Sequence, residues 1–293
     1  MILLLGASGY VGQAFVRQFR ELNLEHLEIS RKTVDYYDPV ALAAFIRDKK
    51  ASFLINSAGY TGKPNVDACE LHKADCLLGN AVLPGRIREA CETAGIPWGH
   101  VSSGCIYTGR KADGAGFCEE DAPNFSFRSD HCSFYSGTKA LGEEILADAL
   151  GVYIWRLRIP FDHNDNPRNY LTKLLRYERL LEAENSVSHL GDFVSSCLDC
   201  WQRKLPFGTY NLTNPGAVTT SQVAELLRSH RITDKHFVYF DDESDFMLNA
   251  AKTPRSNCVL DTSKLQANQL PMRPVDIALE EALRMWIPEF RNQ

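Results

Sequence analysis

Tyr135 and Lys139 stand four residues apart in Phe134-Tyr135-Ser136-Gly137-Thr138-Lys139, at the head of a helical pattern running on through Ala140, Leu141, Glu143, Glu144, Ile145 and Leu146. On a helix that spacing puts a phenol and an ammonium on one face. A nearby cation favours phenolate, so the pair predicts a tyrosine drawn down from its ordinary value of about 10 toward neutrality, able to protonate a carbonyl oxygen as hydride arrives. The spacing alone does not settle the matter, because Tyr107 and Lys111 repeat it in a Gly-rich loop. Upstream, Ser103 lies at the end of an apolar run, at the sheet edge where a substrate carbonyl needs a second hydrogen-bond donor.

Such chemistry requires a hydride donor and a scaffold to hold it. The chain opens on the apolar run Ile2 to Leu5, then Gly6-Ala7-Ser8-Gly9-Tyr10-Val11-Gly12, then a helical pattern through Phe15, Val16 and Phe19. Strand, glycine turn and helix follow in the order a pyrophosphate site demands. Gly6 permits the tight turn, Gly9 lets the backbone approach phosphate, Gly12 lets the helix pack on the strand, and Ser8, Tyr10 and Val11 complete the turn. A second strand, His26 to Ser30, ends in Arg31-Lys32, where an acidic residue would hold a free ribose 2′-hydroxyl; two cations suit a 2′-phosphate and favour NADPH over NADH. The strand Ser52 to Asn56 ends in Ser57-Ala58-Gly59, small residues against which a cofactor can lie. A helix over Leu83 to Ala94 and a strand from Trp98 to Ser102 continue the alternation. The pattern predicts an α/β fold with a Rossmann-type, doubly wound parallel sheet: residues 1–158 bind NADP, and residues 159–293 form a smaller α/β substrate-binding region partly interleaved with the first.

Beyond the strand Val152 to Arg158, Pro160 ends the run and a polar loop, Asp162 to Asn169, leads to a basic amphipathic helix expected to carry Lys173, Arg176 and Arg179. Leu205 to Leu212 reads as a further strand, Thr219 with Gln222 as a capping box, and Ala278 to Trp286 as an amphipathic packing helix.

Composition narrows the class. The chain has 293 residues, 44% of them hydrophobic, and a net charge of -5 with a pI near 5.9, so nothing marks a nucleic-acid surface. No apolar run approaches the roughly 20 residues a membrane span needs. The first residues lack a basic region and a cleavage site, and nine scattered cysteines suit a reducing compartment, so a cytoplasmic enzyme is expected. Cys197 and Cys200 form a lone Cys-x-x-Cys in a helical stretch and predict no metal site.

The glycine turn, Ser57-Ala58-Gly59, Ser103, Tyr135 and Lys139 stand in the order found in extended short-chain dehydrogenase/reductases, which the whole chain resembles. Val66-Asp67-Ala68-Cys69-Glu70 with Asn80 resembles the dTDP-4-dehydrorhamnose reductase branch. Gly104 to Tyr107, Phe117 to Phe125, Asn166 to Lys173, Asn211 to Gly216 and Pro254 to Asn257 resemble the plant-type UDP-4-keto-6-deoxyglucose 3,5-epimerase/4-reductase. The resemblance implies that Tyr135, not Tyr107, is the proton donor, that Asn80 supports it, and that Asp35 lies near adenine. It further implies that Asn166, Arg168, Asn169 and Arg255 meet a nucleotide-diphosphate sugar, and that Cys105 and Lys173 are the base and acid inverting C3 and C5 next to a C4 carbonyl, with His163 as the alternative acid. The expected product is a nucleotide-linked 6-deoxyhexose such as UDP- or dTDP-rhamnose, and the expected assembly a homodimer paired through helices flanking the sheet. Two rival readings are a 4-ketoreductase without epimerase activity and a non-catalytic NADP-binding subunit.

Overall fold

A computed structural model describes residues 1–63, 65–129 and 131–288. Six parallel strands form its central sheet: β1 (Ile2–Leu5), β2 (His26–Ile29), β3 (Phe53–Asn56), β4 (Trp98–Ser103), β5 (Val152–Leu157) and β6 (Gly208–Asn211), in spatial order β2-β1-β3-β4-β5-β6. Every residue of β1, β3, β4 and β5 is buried, which is why β1 and most of β3 and β5 are apolar without alternation. The chain leaves β1 for β2 on one side and returns to place β3 on the other, so a crevice opens between the carboxyl ends of β1 and β3.

Helices cover both faces. On one, α1 (Tyr10–Glu21) and a later helix, Leu190–Gln202, bury Phe15, Phe19, Phe193 and Leu198 against Phe53 and Trp155. On the other, α2 (Pro39–Asp48) and α3 (Leu83–Ala94) bury Leu42, Ile46, Leu83 and Ile87 against Leu3, Leu54 and Trp98. The helix α4 (Phe134–Ile145) begins as predicted, with the Ser133 hydroxyl accepting from the Ser136 amide. A π-helical turn, Leu78–Val82, runs into α3 and presses on α4 so closely that a Cβ at Gly142 would come 2.2 Å from the Asn80 carbonyl oxygen. A separate apolar core, built on Phe161, Leu171, Val223, Leu227, Ala278 and Leu279, organises the C-terminal part. There the capping box at Thr219 and Gln222 is formed, and the expected last helix spans Val275–Arg284.

Beyond shifts of a few residues at other ends, three elements around the substrate side differ from expectation. The basic helix, α5 (Tyr170–Arg176), stops where Tyr177 turns extended, so Arg179 lies instead in the two-residue strand Arg179–Leu180, paired with Val238–Tyr239. The strand expected from Leu205 is shorter, because Pro206 cannot donate to a ladder and the pairing with β5 starts at Gly208. Pro160 does not end extended structure: Pro160–Phe161 pairs with Ser188–His189 after Ile159 bends the chain at φ 38°.

Candidate active site

A cavity of about 1500 Å³ runs along the carboxyl edge of the sheet and into the C-terminal part. Its cofactor end is the β1–β3 crevice. Gly6, at φ +76°, is packed so tightly that a Cβ would lie 2.5 Å from the Ala58 nitrogen, and a Cβ at Gly12 would lie 2.1 Å from the Gly6 oxygen. These two glycines sit behind the wall and shape it, while Ser8, Gly9, Tyr10, Val11, Ser57, Ala58 and Gly59 form its surface. Gly9 precedes α1 with no side chain capping the helix and no acidic residue in its first turn, which leaves a helix N-terminus suited to a pyrophosphate. This cradle of small residues fits a dinucleotide. Arg31 and Asp35 lie outside the cavity on the exposed turn after β2, where Asp35 accepts from the Tyr37 amide.

At the middle of the cavity, Ser103 closes β4, and Tyr135 and Lys139 enter from α4. The Ser103 Oγ accepts from the Cys105 amide at 3.2 Å, and Ser103 and Tyr135 line the cavity together. The Lys139 Nζ donates to the Val101 carbonyl at 3.1 Å, fixing the helix to β4. The lowered phenol expected from the pairing is not what this arrangement gives. Desolvation pushes Tyr135 well above its ordinary value, and the neighbouring Cys105, Cys69 and Cys76 add to it, while Ser103 opposes the rise. Lys139 itself is lowered by burial. Desolvation wins because both groups are enclosed and the ammonium is committed to a backbone carbonyl.

Asn80 ties this centre to β3: its Nδ2 donates to the Tyr60 carbonyl at 2.8 Å and the Thr138 hydroxyl at 3.2 Å, and its Oδ1 accepts from the Tyr60 amide at 2.8 Å. Beneath α4, Glu143 takes a bidentate pair from Arg156, at 2.7 Å for the closest atoms, and a hydrogen bond from Ser102. Tyr107, the residue with the competing spacing, is fully buried; its hydroxyl donates to the Asp121 carbonyl at 2.6 Å and its ring stacks on Phe117. It does not line the cavity.

Cys105, 5% exposed, lies on the wall with Ser103. Burial raises its thiol, against the lowering influence of Ser103, Arg158, Lys139 and Ser136. Lys173 projects from α5 onto the same wall and is lowered to about 8 by burial, then by the charges of Arg168 and Arg255. Arg168 donates to the Gly62 carbonyl at 2.6 Å, and Arg255 pairs with both oxygens of Asp67, at 2.7 and 2.8 Å. The Asn166 Oδ1 orients the Arg168 amide at 2.9 Å. Two expectations change. Asn169 is wholly buried and off the wall, because its amide caps α5 and donates to the Asp162 and Asn164 carbonyls, so it builds the loop instead of meeting substrate. His163 also lies off the wall, with its carbonyl taken by the Ile287 amide, which leaves Lys173 as the cavity's acid candidate. The sequence reading missed Arg158 and Asn185, which are hydrogen-bonded to each other and line the same cavity as Cys105. Nothing local signalled either, because Arg158 follows a strand that already carries Arg156, and Arg158 and Asn185 gain their neighbours only in the fold.

The RmlD substrate binding domain model matches residues 1–286. The bifunctional dTDP-4-dehydrorhamnose 3,5-epimerase/dTDP-4-dehydrorhamnose reductase of Arabidopsis thaliana is 32% identical over 90% of this chain and 86% of its own length. The chain also matches trifunctional plant relatives, spanning about a third of their length. Among solved structures, the L780 UDP-rhamnose synthase of Acanthamoeba polyphaga mimivirus superposes with a TM-score of 0.87 at 24% identity, covering 97% of this chain and 98% of that one. A dTDP-4-dehydrorhamnose reductase of Bacillus anthracis in complex with NADP gives 0.80 at 17% identity, covering 97% of each chain.

Proposed function

The chain belongs to the RmlD substrate binding domain family, and from that premise we propose that it is an NADPH-dependent epimerase/reductase of nucleotide-linked 4-keto-6-deoxyhexoses. The observation that carries this reading is the convergence of Ser103, Tyr135 and Lys139 with Cys105 and Lys173 on one cavity. A plain reductase needs only the first three.

In the first stage Cys105, as thiolate, takes the proton from C3 or C5; the C–H electron pair forms a double bond to C4 as the carbonyl π pair moves onto the C4 oxygen, held by Tyr135 and Ser103. The Lys173 ammonium returns a proton to the opposite face as the pair moves back. Water then restores thiolate and ammonium. Bound NADPH supplies hydride for the second stage, reduction of C4. The raised phenol of Tyr135 keeps its proton at neutral pH and gives it to the C4 oxygen, while Lys139 holds the helix in register and offers a cation to the nicotinamide ribose. Arg168 and Arg255 meet the diphosphate, and Asn166 sets the first of them. Arg31 meets the 2′-phosphate, which is the basis for preferring NADPH to NADH.

Residues 1–158 carry the cofactor cradle together with Ser103, Cys105 and Tyr135, and 159–293, partly interleaved with them, bind the rest of the substrate, in a cytoplasmic homodimer. No helix of the described residues is long and apolar enough to cross a membrane, and all nine cysteines are free.

The test is proton NMR in deuterated water with a UDP- or dTDP-4-keto-6-deoxyglucose and no NADPH. Deuterium should enter at C3 and C5. Its absence, with NADPH-dependent reduction of a pre-epimerised sugar intact, leaves the 4-ketoreductase reading standing alone.

A further inference from the structure

Arg158 is the first residue after β5, and only 6% of its surface is exposed. It lines the cavity beside Cys105. One end of its guanidinium is fastened: Nη2 donates to the Asn185 Oδ1 at 2.6 Å and to the Ser256 carbonyl. Asn185 is itself held, because the same Oδ1 accepts from the Cys258 amide at 3.0 Å and its Nδ2 donates to the Asn257 Oδ1 at 3.2 Å. Its Nε, also buried, lacks a hydrogen-bond partner. Among the described residues no carboxylate pairs with this arginine. The contrast with the neighbouring strand position is informative, since Arg156 has Glu143 as a bidentate partner. A buried, uncompensated guanidinium is costly, and a negative charge formed beside it relieves that cost.

The candidate anion is next to it in the fold. Gly104 packs on the Arg158 stem, where an added Cβ would lie 3.5 Å from Cδ, and Cys105 follows directly. Lys139, the other buried cation near the thiol, is committed to the Val101 carbonyl.

The geometry points to Arg158 as the counter-charge of Cys105, a positioning residue that holds the thiolate ready to act as base on one face of the sugar. This rests on the epimerase reading above. Arg158 exchanges no proton with substrate; it shifts the balance between the Cys105 thiol, whose proton goes to water, and the thiolate.

Iodoacetamide alkylation of Cys105, followed by peptide mass spectrometry from pH 6 to 10, tests this in the full-length protein. Arg158→Gln should move the alkylation profile upward by on the order of one pH unit. It should also cut deuterium uptake at C3 and C5 at neutral pH by roughly tenfold. Arg158→Lys should restore most of both. An unmoved profile in a variant that still gains thermal stability with NADPH overturns the assignment, as does an Arg158→Lys that behaves like the glutamine. Should Arg158→Gln not fold, Asn185→Ala, which loosens the guanidinium, must move the profile the same way; no movement overturns it equally. A wild-type protein without deuterium uptake removes the epimerase reading, while the alkylation profiles still decide whether Arg158 governs the thiol.

Discussion

Each of the central residues carries a separable expectation. Tyr135→Phe should lower kcat for reduction by about 10²–10⁴-fold with little change in NADPH affinity, measured by steady-state kinetics and fluorescence titration. Lys173 must be protonated to serve as acid, and burial with the Arg168 and Arg255 charges puts its folded value at about 8. Deuterium exchange should therefore hold near neutral pH and decline as pH rises through about 8, while a profile flat to pH 10 removes Lys173 from the role. Ser103, Cys105, Tyr135 and Lys139 could be found in the sequence because their positions follow from one strand end and one helix face. Arg158 could not be assigned that way: its meaning depends on Asn185 and Ser256, which are close only after the chain has folded back. The Tyr135–Lys139 spacing gave the right face and the wrong electrostatics, because spacing does not reveal how far desolvation outweighs an ammonium bound elsewhere.

At the scale of elements, α4 is held from two sides, by the π-helical turn carrying Asn80 and by the buried Glu143–Arg156 pair. Gly142→Ala would bring a Cβ to 2.2 Å from the Asn80 oxygen, a backbone atom that cannot swing aside. A loss of about 1–3 kcal/mol in denaturant unfolding is expected, with kcat falling as Tyr135 shifts. Removing one partner of the ion pair, as in Glu143→Gln, leaves a guanidinium buried at 5% exposure and should cost about 3–5 kcal/mol by the same measurement. Strand, glycine turn and helix at the N-terminus could be read directly, since each is set by a few adjacent residues. The π-helical turn gave no such sign, and α5 ended early because Tyr177 turns extended to reach the strand at Arg179.

Across the whole molecule, the C-terminal helix is fastened to the sheet side through Asp192, which pairs with Arg273 at 2.6 Å, binds the His189 ring at 3.1 Å and accepts from Asn214 at 2.9 Å. Although burial opposes it, hydrogen bonds from His189 and Arg273 and their charges bring Asp192 down to about 2. A carboxyl held below its ordinary 3.8 contributes stability that is full above that value and lost as pH falls toward about 2, roughly 2 kcal/mol in all. The melting temperature should drop between pH 5 and pH 3, and Arg273→Met should reduce that drop. Distant parts of the chain also meet at the cavity, where Arg168 holds Gly62 and Arg255 holds Asp67. The sheet has its own late arrival in β6, which pairs with β5 from residues 208 to 211. During synthesis, β5 therefore emerges from the ribosome as an unpaired edge, with Tyr153 and Trp155 awaiting a strand some fifty residues away. At about 5–20 residues per second that edge stays open for several seconds, long enough for chaperones to matter to the yield of this protein in a cell.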